Sequence, residues 1–226
     1  MTAFVLSRLL QLASPALPVG AYSYSQGLEW AAECGVVRDE TTAGDWIAEV
    51  LRTGVGRFEA PLLARAMAAV DADDRGQLAA LNERFVASRE SSELRNETLQ
   101  MGHSLRILLD ALEDVPKTER NRLREIDALS FPVVWGCIAA TWGIPPPQAV
   151  TAYLWAWAEN QVMAAVKIVP LGQTAGQRLL LRLGMLVEQV AAAALELDEA
   201  DWSNFAPGFA IASCRHETQY TRLFRS

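Results

Sequence analysis

The side chains best suited to metal or nucleophile chemistry in this chain are few: His103, His216, Cys34, Cys137 and Cys214. A structural or catalytic metal site draws three or four grouped nitrogen or sulfur ligands. Cys214-Arg-His216 offers two ligands one residue apart, too few for a site within one chain. The expectation is a buried thiol beside a hydrogen-bonding imidazole. Gly54-Val-Gly56 lacks the further glycine and Lys-Ser/Thr of a phosphate-binding loop, and Ser23 and Ser25 stand at the wrong spacing for a nucleophile elbow. Glu29, Glu33 and Glu49 fall on helical positions where carboxylates normally face water. No catalytic pattern, metal set or cofactor motif emerges.

The residues around these positions predict helices. Apolar spacing marks 4–12, 25–34, 78–88, 90–112, 117–129, 133–141, 148–168 and 174–197. Thr42 with Asp45 reads as a cap for a helix ending near Gly54 or Gly56, and Pro61 opens the next. The segments 148–168 and 174–197 are apolar nearly all round, which places them at the centre of a bundle or in an oligomer interface. No alternation suggests a sheet. The expectation is an all-α single domain, residues 1–226, of about ten helices, with a C-terminal tail from about residue 203.

Composition sets limits on function. Hydrophobic residues make up 51% of the chain, and the net charge is −7. Without a clustered basic face, nucleic acid is not an expected partner. Residues 128–158 carry no charged side chain, but Pro132 and Pro145-Pro146-Pro147 divide them into pieces too short to cross a membrane. An odd number of widely spaced cysteines and no leader pattern point to the cytoplasm.

The final dozen residues depart from this acidic background. Arg215, Arg222 and Arg225 against Glu217 make +2, so residues 1–214 carry −9. Arginine mixed with Tyr220, Leu223 and Phe224 is the composition of an interface hot spot. Docking onto another protein is the favoured reading, and folding back onto the chain's own acidic surface is the alternative. Two other features exceed what folding needs. One is residues 19–30, with Tyr22, Ser23, Ser25 and Glu29 in a glycine-flanked loop entering a helix. The other is Lys167, the only cation between Arg124 and Arg178, which either meets a helix C-terminus or is presented at a functional surface.

Three separated blocks carry a resemblance. They are Leu9-Leu-Gln-Leu-Ala-Ser-Pro-Ala-Leu-Pro-Val-Gly-Ala-Tyr-Ser-Tyr-Ser-Gln-Gly-Leu-Glu-Trp30, Lys167-Ile-Val-Pro-Leu-Gly-Gln173, and His216-Glu-Thr-Gln-Tyr-Thr-Arg-Leu-Phe-Arg-Ser226. In that order, and over essentially its full length, the chain resembles the UreF family of urease accessory proteins. The resemblance implies a non-catalytic scaffold for nickel insertion that dimerises and binds a UreD/UreH-type accessory protein. The pair recruits the GTPase UreG, delivers nickel to the urease apoprotein, and in this reading also regulates GTP hydrolysis. It further implies a tail that orders on the UreD-type partner, through His216, Glu217, Gln219, Tyr220, Arg222, Leu223, Phe224 and Arg225. Tyr22, Ser23, Ser25, Glu29 and Lys167 would lie near surfaces that meet UreG or urease. The competing reading is an all-α enzyme or small-ligand binder with a pocket between apolar helices, marked by Glu159, Asn160 or Gln161 turned inward.

Overall fold

A 23-residue helix with no polar stripe has to be surrounded, and α9 (Pro146–Ile168) is. It packs along α10 (Gln173–Glu196) and against α1 (Ala3–Ala13), α2 (Leu28–Glu33), α3 (Glu40–Val50) and α4 (Ala60–Asp71). The computed structural model describes residues 1–112 and 115–226. Among them are also α5 (Arg75–Ala87), α6 (Ser92–Ala111), α7 (Lys117–Arg124), α8 (Phe131–Thr141) and α11 (Pro207–His216). The described residues thus hold eleven α-helices and no strand, an all-α fold close to the ten helices expected. Helix α8 sits between α4 and α6, and the buried apolar residues from Leu9 to Phe224 form one connected core. No helix among the described residues is long and apolar enough to cross a membrane.

Three boundaries differ from the sequence pattern, each for a local reason. The cap of α3 is Asp39 rather than Thr42: its carboxylate accepts the Thr42 amide at 2.8 Å, while Thr42 Oγ1 accepts the Asp39 amide at 3.1 Å. Gly54 and Gly56 do not end this helix. The chain widens into a π-helical segment, Leu51–Glu59, and runs on into α4, with Pro61 in the first turn where its missing N–H costs nothing. Gly56 admits Val190 of α10 so closely that any side chain there would collide with it. The wider turns also bring Glu59 to face the interior.

The helix expected over 117–129 stops at Arg124, because the next loop is tied elsewhere. Buried Asn82 donates to the carbonyls of Asp127 and Ala128 at 3.4 and 3.2 Å, and its Oδ1 accepts the Ser130 amide at 2.7 Å. These bonds satisfy backbone groups that helix would otherwise have paired. Asn82→Ala strands a buried amide at a cost of about 2–3 kcal/mol, equivalent to a Tm fall of roughly 4–12 °C for a chain of this size. Calorimetry measures it, and an unchanged Tm would show that the loop stands without Asn82.

Candidate partner-binding site

The three blocks singled out in the sequence meet on one face. Two left-handed residues, Gln26 (φ 54°) and Gly27 (φ 80°), turn the loop after residue 24 into α2. A side chain at Gly27 would bring its Cβ to 2.7 Å from the Ser213 amide nitrogen, so only glycine lets α11 pack this closely. Helix α6 borders the same space, and its Ser91 cap shares a hydrogen bond with Ser213 of α11. Residues 217–226 then cross the junction as an irregular strap.

Carboxylates from the body hold the strap. Glu29 accepts the amides of Leu223 at 2.7 Å and Phe224 at 3.0 Å, and its Oε2 lies 3.2 Å from His216 Nε2. Glu93 lies 2.6 Å from His216 Nδ1 and accepts Arg222 at 2.6 Å. Glu217 accepts the Ser92 amide and hydroxyl, both at 2.7 Å, at the start of α6. The Ser92 hydroxyl, and then the backbone donors of that helix start, hold its carboxyl below the usual range. At the far end the Ser25 amide and hydroxyl and the Gln26 amide donate to the Ser226 carbonyl at 2.7, 2.6 and 3.0 Å. The Ser226 hydroxyl donates to Glu97 at 2.8 Å, and the Arg225 amide donates to the Ser23 carbonyl at 2.8 Å. Lys167, in the last turn of α9, stands 5.5 Å from the ring centre of Phe224, within cation–π range.

Magnitudes show why so many bonds are needed. Burying Phe224 contributes about 1.5–3 kcal/mol, whereas ordering each backbone residue costs about 1–2 kcal/mol. One aromatic cannot hold ten residues down, and the bonds to Glu29, Glu93 and Glu97 add to it.

The tail in this structure lies on its own body, the alternative reading of its composition. His216, Phe224, Ser25 and Glu29 are buried and form the attachment. Glu217, Gln219 and Ser23 are half-buried. Tyr22, Lys167, Arg222 and Arg225 are exposed, and Tyr220 and Leu223 are 103% and 72% accessible. The thiol expected to be buried beside the imidazole is instead exposed: Cys214 faces out of α11 while His216 faces in, since residues two apart on a helix point to opposite sides. Glu93, Glu97 and Gln26 were missed in the sequence. The signal was there in Glu93 and Glu97, four residues apart on one helix face, opposite a tail that carries Arg222 and Ser226.

A cavity of about 240 Å³ opens beside this face, between Tyr22 and Lys167. Its inner wall carries a buried ion pair, Arg89 to Glu59 at 2.9 Å, with the Tyr153 hydroxyl donating to Glu59 at 2.7 Å. Burial and the Glu59 charge push the Tyr153 phenol well above its usual value. Glu159 and Asn160 line the cavity, as the small-ligand alternative required, whereas Gln161 is buried away from it. The Cys137 thiol is driven up to about 12 by burial, which makes it a poor nucleophile. No group of three or more His, Cys, Asp or Glu among the described residues is placed to hold a metal ion. His216, Glu29 and Glu93 do not converge, because the carboxylates sit against opposite ring nitrogens.

A helical body that fixes an arginine- and aromatic-bearing strap through carboxylates, with Tyr220 and Leu223 turned outward, defines a helical interaction protein. Comparison with known proteins makes this specific. The family model described as UreF matches residues 37–184. A urease accessory protein UreF of Azoarcus sp. (strain BH72) is 63% identical over 98% of this chain and 95% of its own length. That of Dechloromonas aromatica (strain RCB) is 59% identical over 100% and 99%, and that of Methylobacillus flagellatus 47% over 98% and 97%. The chain belongs to the UreF family.

Burial pushes the Glu97 carboxyl from 4.5 up to about 7, against the lowering effect of its bonds from Ser226 and Gln26. The folded chain thus holds a proton that the unfolded chain releases near 4.5, so this group's contribution is full at acid pH and fades as pH rises towards about 7. Glu97→Gln should remove that slope. Urea midpoints at pH 5 and 8 are expected to show the variant gaining on the native chain by up to about 3 kcal/mol at the higher pH. Equal differences at both pH values would mean that Glu97 stays ionised.

Proposed function

We infer that this chain acts in urease maturation as a non-catalytic adaptor for nickel insertion, and that the strap with its flanking loop is the surface that takes a UreD/UreH-type accessory protein. The observation that carries this is the division of labour in the strap. The Leu223, Phe224 and Arg225 amides and the buried Phe224 are held by the body, while Tyr220 and Leu223 project into solvent beside Arg222 and Arg225. Preorganised Tyr and Arg side chains of this kind bind without a large ordering cost. In this reading the tail needs only to be covered on docking. Tyr22 and Lys167 extend the surface towards the UreG-type GTPase or the urease apoprotein, and Lys167 influences GTP hydrolysis.

The same reading places the protein in the cytoplasm as one domain and as a homodimer. A second copy suits the surface where Phe4, Leu6 and Leu10 of α1 and Leu181 and Met185 of α10 are exposed. A shallow groove floored by Leu9, Trp155 and Val187 runs between these helices.

Tyr220→Ala combined with Leu223→Ala should leave the helical CD spectrum intact and weaken co-purification with the UreD/UreH-type protein at least thirtyfold, the loss of one hot spot of about 2 kcal/mol. Full complex formation by the double variant would remove the strap from the interface. Lys167→Ala is expected to change GTP hydrolysis and urease activation in the reconstituted set. Native values for both would refute its regulatory role.

A further inference from the structure

The cavity beside the strap is larger than close packing leaves by accident. Protein interiors hold few voids bigger than a water molecule, whereas this one measures about 240 Å³. That is just under the range usual for small-molecule sites, about 300–1,000 Å³, and suits a fragment-sized occupant. Its walls are largely apolar and rich in rings: Phe131 and Trp135 from α8, Tyr153 and Trp157 from α9, with Leu12 from α1 and Met101 from α6. Tyr153 lies against both Phe131 and Trp135, ring centres 6.0 and 5.6 Å apart, and its hydroxyl is tied to Glu59, so this wall is formed before anything binds. Aromatic faces attract cations.

The charged groups on the wall do not balance. Glu59, Glu97 and Glu159 stand against Arg89 and Lys167. Arg89 is taken by Glu59 at 2.9 Å, and Lys167 is exposed beside the Phe224 ring. Glu97 accepts only the neutral donors Gln26 and Ser226. Glu159 is half-buried and makes no hydrogen bond or ion pair among the described residues. Lys167 lies about two turns further along α9, roughly 12 Å of helix rise, and does not pair with it. Burial raises the Glu159 carboxyl above its usual value, with no counter-charge to offset the effect.

We propose that this cavity is a binding site for a small organic cation, an ammonium on an aromatic body, with the charge held at Glu159 and the body among the rings of α8 and α9. Two wall carboxylates without a cationic partner face one exposed ammonium, so the field inside favours a positive guest over an anion. A neutral guest of the same shape gains the apolar contacts and loses the charge-assisted bond. The site is separate from the adaptor reading, which needs no small molecule. An occupant nevertheless lies against residues that hold the end of the strap, since Gln26 and Glu97 both bond Ser226.

Three probes of one size separate the charge from the body: 2-phenylethylamine, 2-phenylethanol and phenylacetate. Each is titrated into the full chain at neutral pH and followed by calorimetry and by the Trp157 indole N–H resonance. The amine should bind with a Kd of about 1 mM or tighter, and at least about tenfold more tightly than the alcohol or the carboxylate. Glu159→Gln should bring the amine to within about twofold of the alcohol. Ala156→Leu puts a larger side chain into the cavity and should abolish binding of both. No binding of the amine, equal or tighter binding of the alcohol or phenylacetate, or an unchanged amine affinity in either variant overturns the proposal. Should Ala156→Leu not fold, Glu159→Gln and the indole resonance decide. An amine that binds without shifting Trp157 sits elsewhere, which also overturns it.

Discussion

The contact on which this face of the molecule depends is the imidazole of His216 between Glu29 and Glu93. It joins three helices that are far apart in the chain, α2, α6 and α11, and each carboxylate goes on to fix part of the strap. Buried charges are costly when isolated and acceptable when paired and fully hydrogen-bonded. Each carboxylate touches both the imidazole and the strap, which makes the junction cooperative rather than a sum of independent contacts. The tight approach at Gly27 belongs to the same design, since α11 carries His216 into place only where α2 begins without a side chain.

A second polar chain links this junction to the centre of the bundle. The Trp157 indole on α9 donates to Gln26 at 2.8 Å, Gln26 donates to Glu97 at 2.7 Å, and Glu97 holds Ser226. Deeper in, the π-helical segment turns Glu59 towards Arg89 and Tyr153. Ion pairs of this sort contribute little net stability against an apolar core. Here they fix orientation, holding the cavity wall, the central helix and the strap in register. The face that presents Tyr220 and Leu223 is therefore built on rigid elements, although the residues presented belong to irregular backbone.

How far the fold could be read in advance differed between elements for physical reasons. Helices α9 and α10 were legible to within two residues, because proline and glycine bound them and their apolar surface is uninterrupted. The short helix after Pro116 was overextended, since no local signal shows that Asn82, more than 40 residues away, captures the carbonyls of Asp127 and Ala128. Gly54 and Gly56 looked like a stop. Whether a glycine ends a helix or admits a neighbour depends on what lies opposite, and Val190 is contributed by a helix more than 130 residues later.

From the chain of residues alone came the helical class, and Tyr22, Ser23, Ser25, Glu29, Lys167 and the last dozen residues as positions that folding by itself did not explain. Composition and periodicity are local, and hot-spot chemistry in the tail is visible wherever the tail happens to lie. Only the tertiary structure decided which of those residues hold and which present. Phe224 and His216 turned inward, while Tyr220 and Leu223 turned outward. That choice rests on Glu29, Glu93 and Glu97, carboxylates whose partners in α11 and the strap are more than 120 residues away, and such pairing exists only once the helices that bear them have packed.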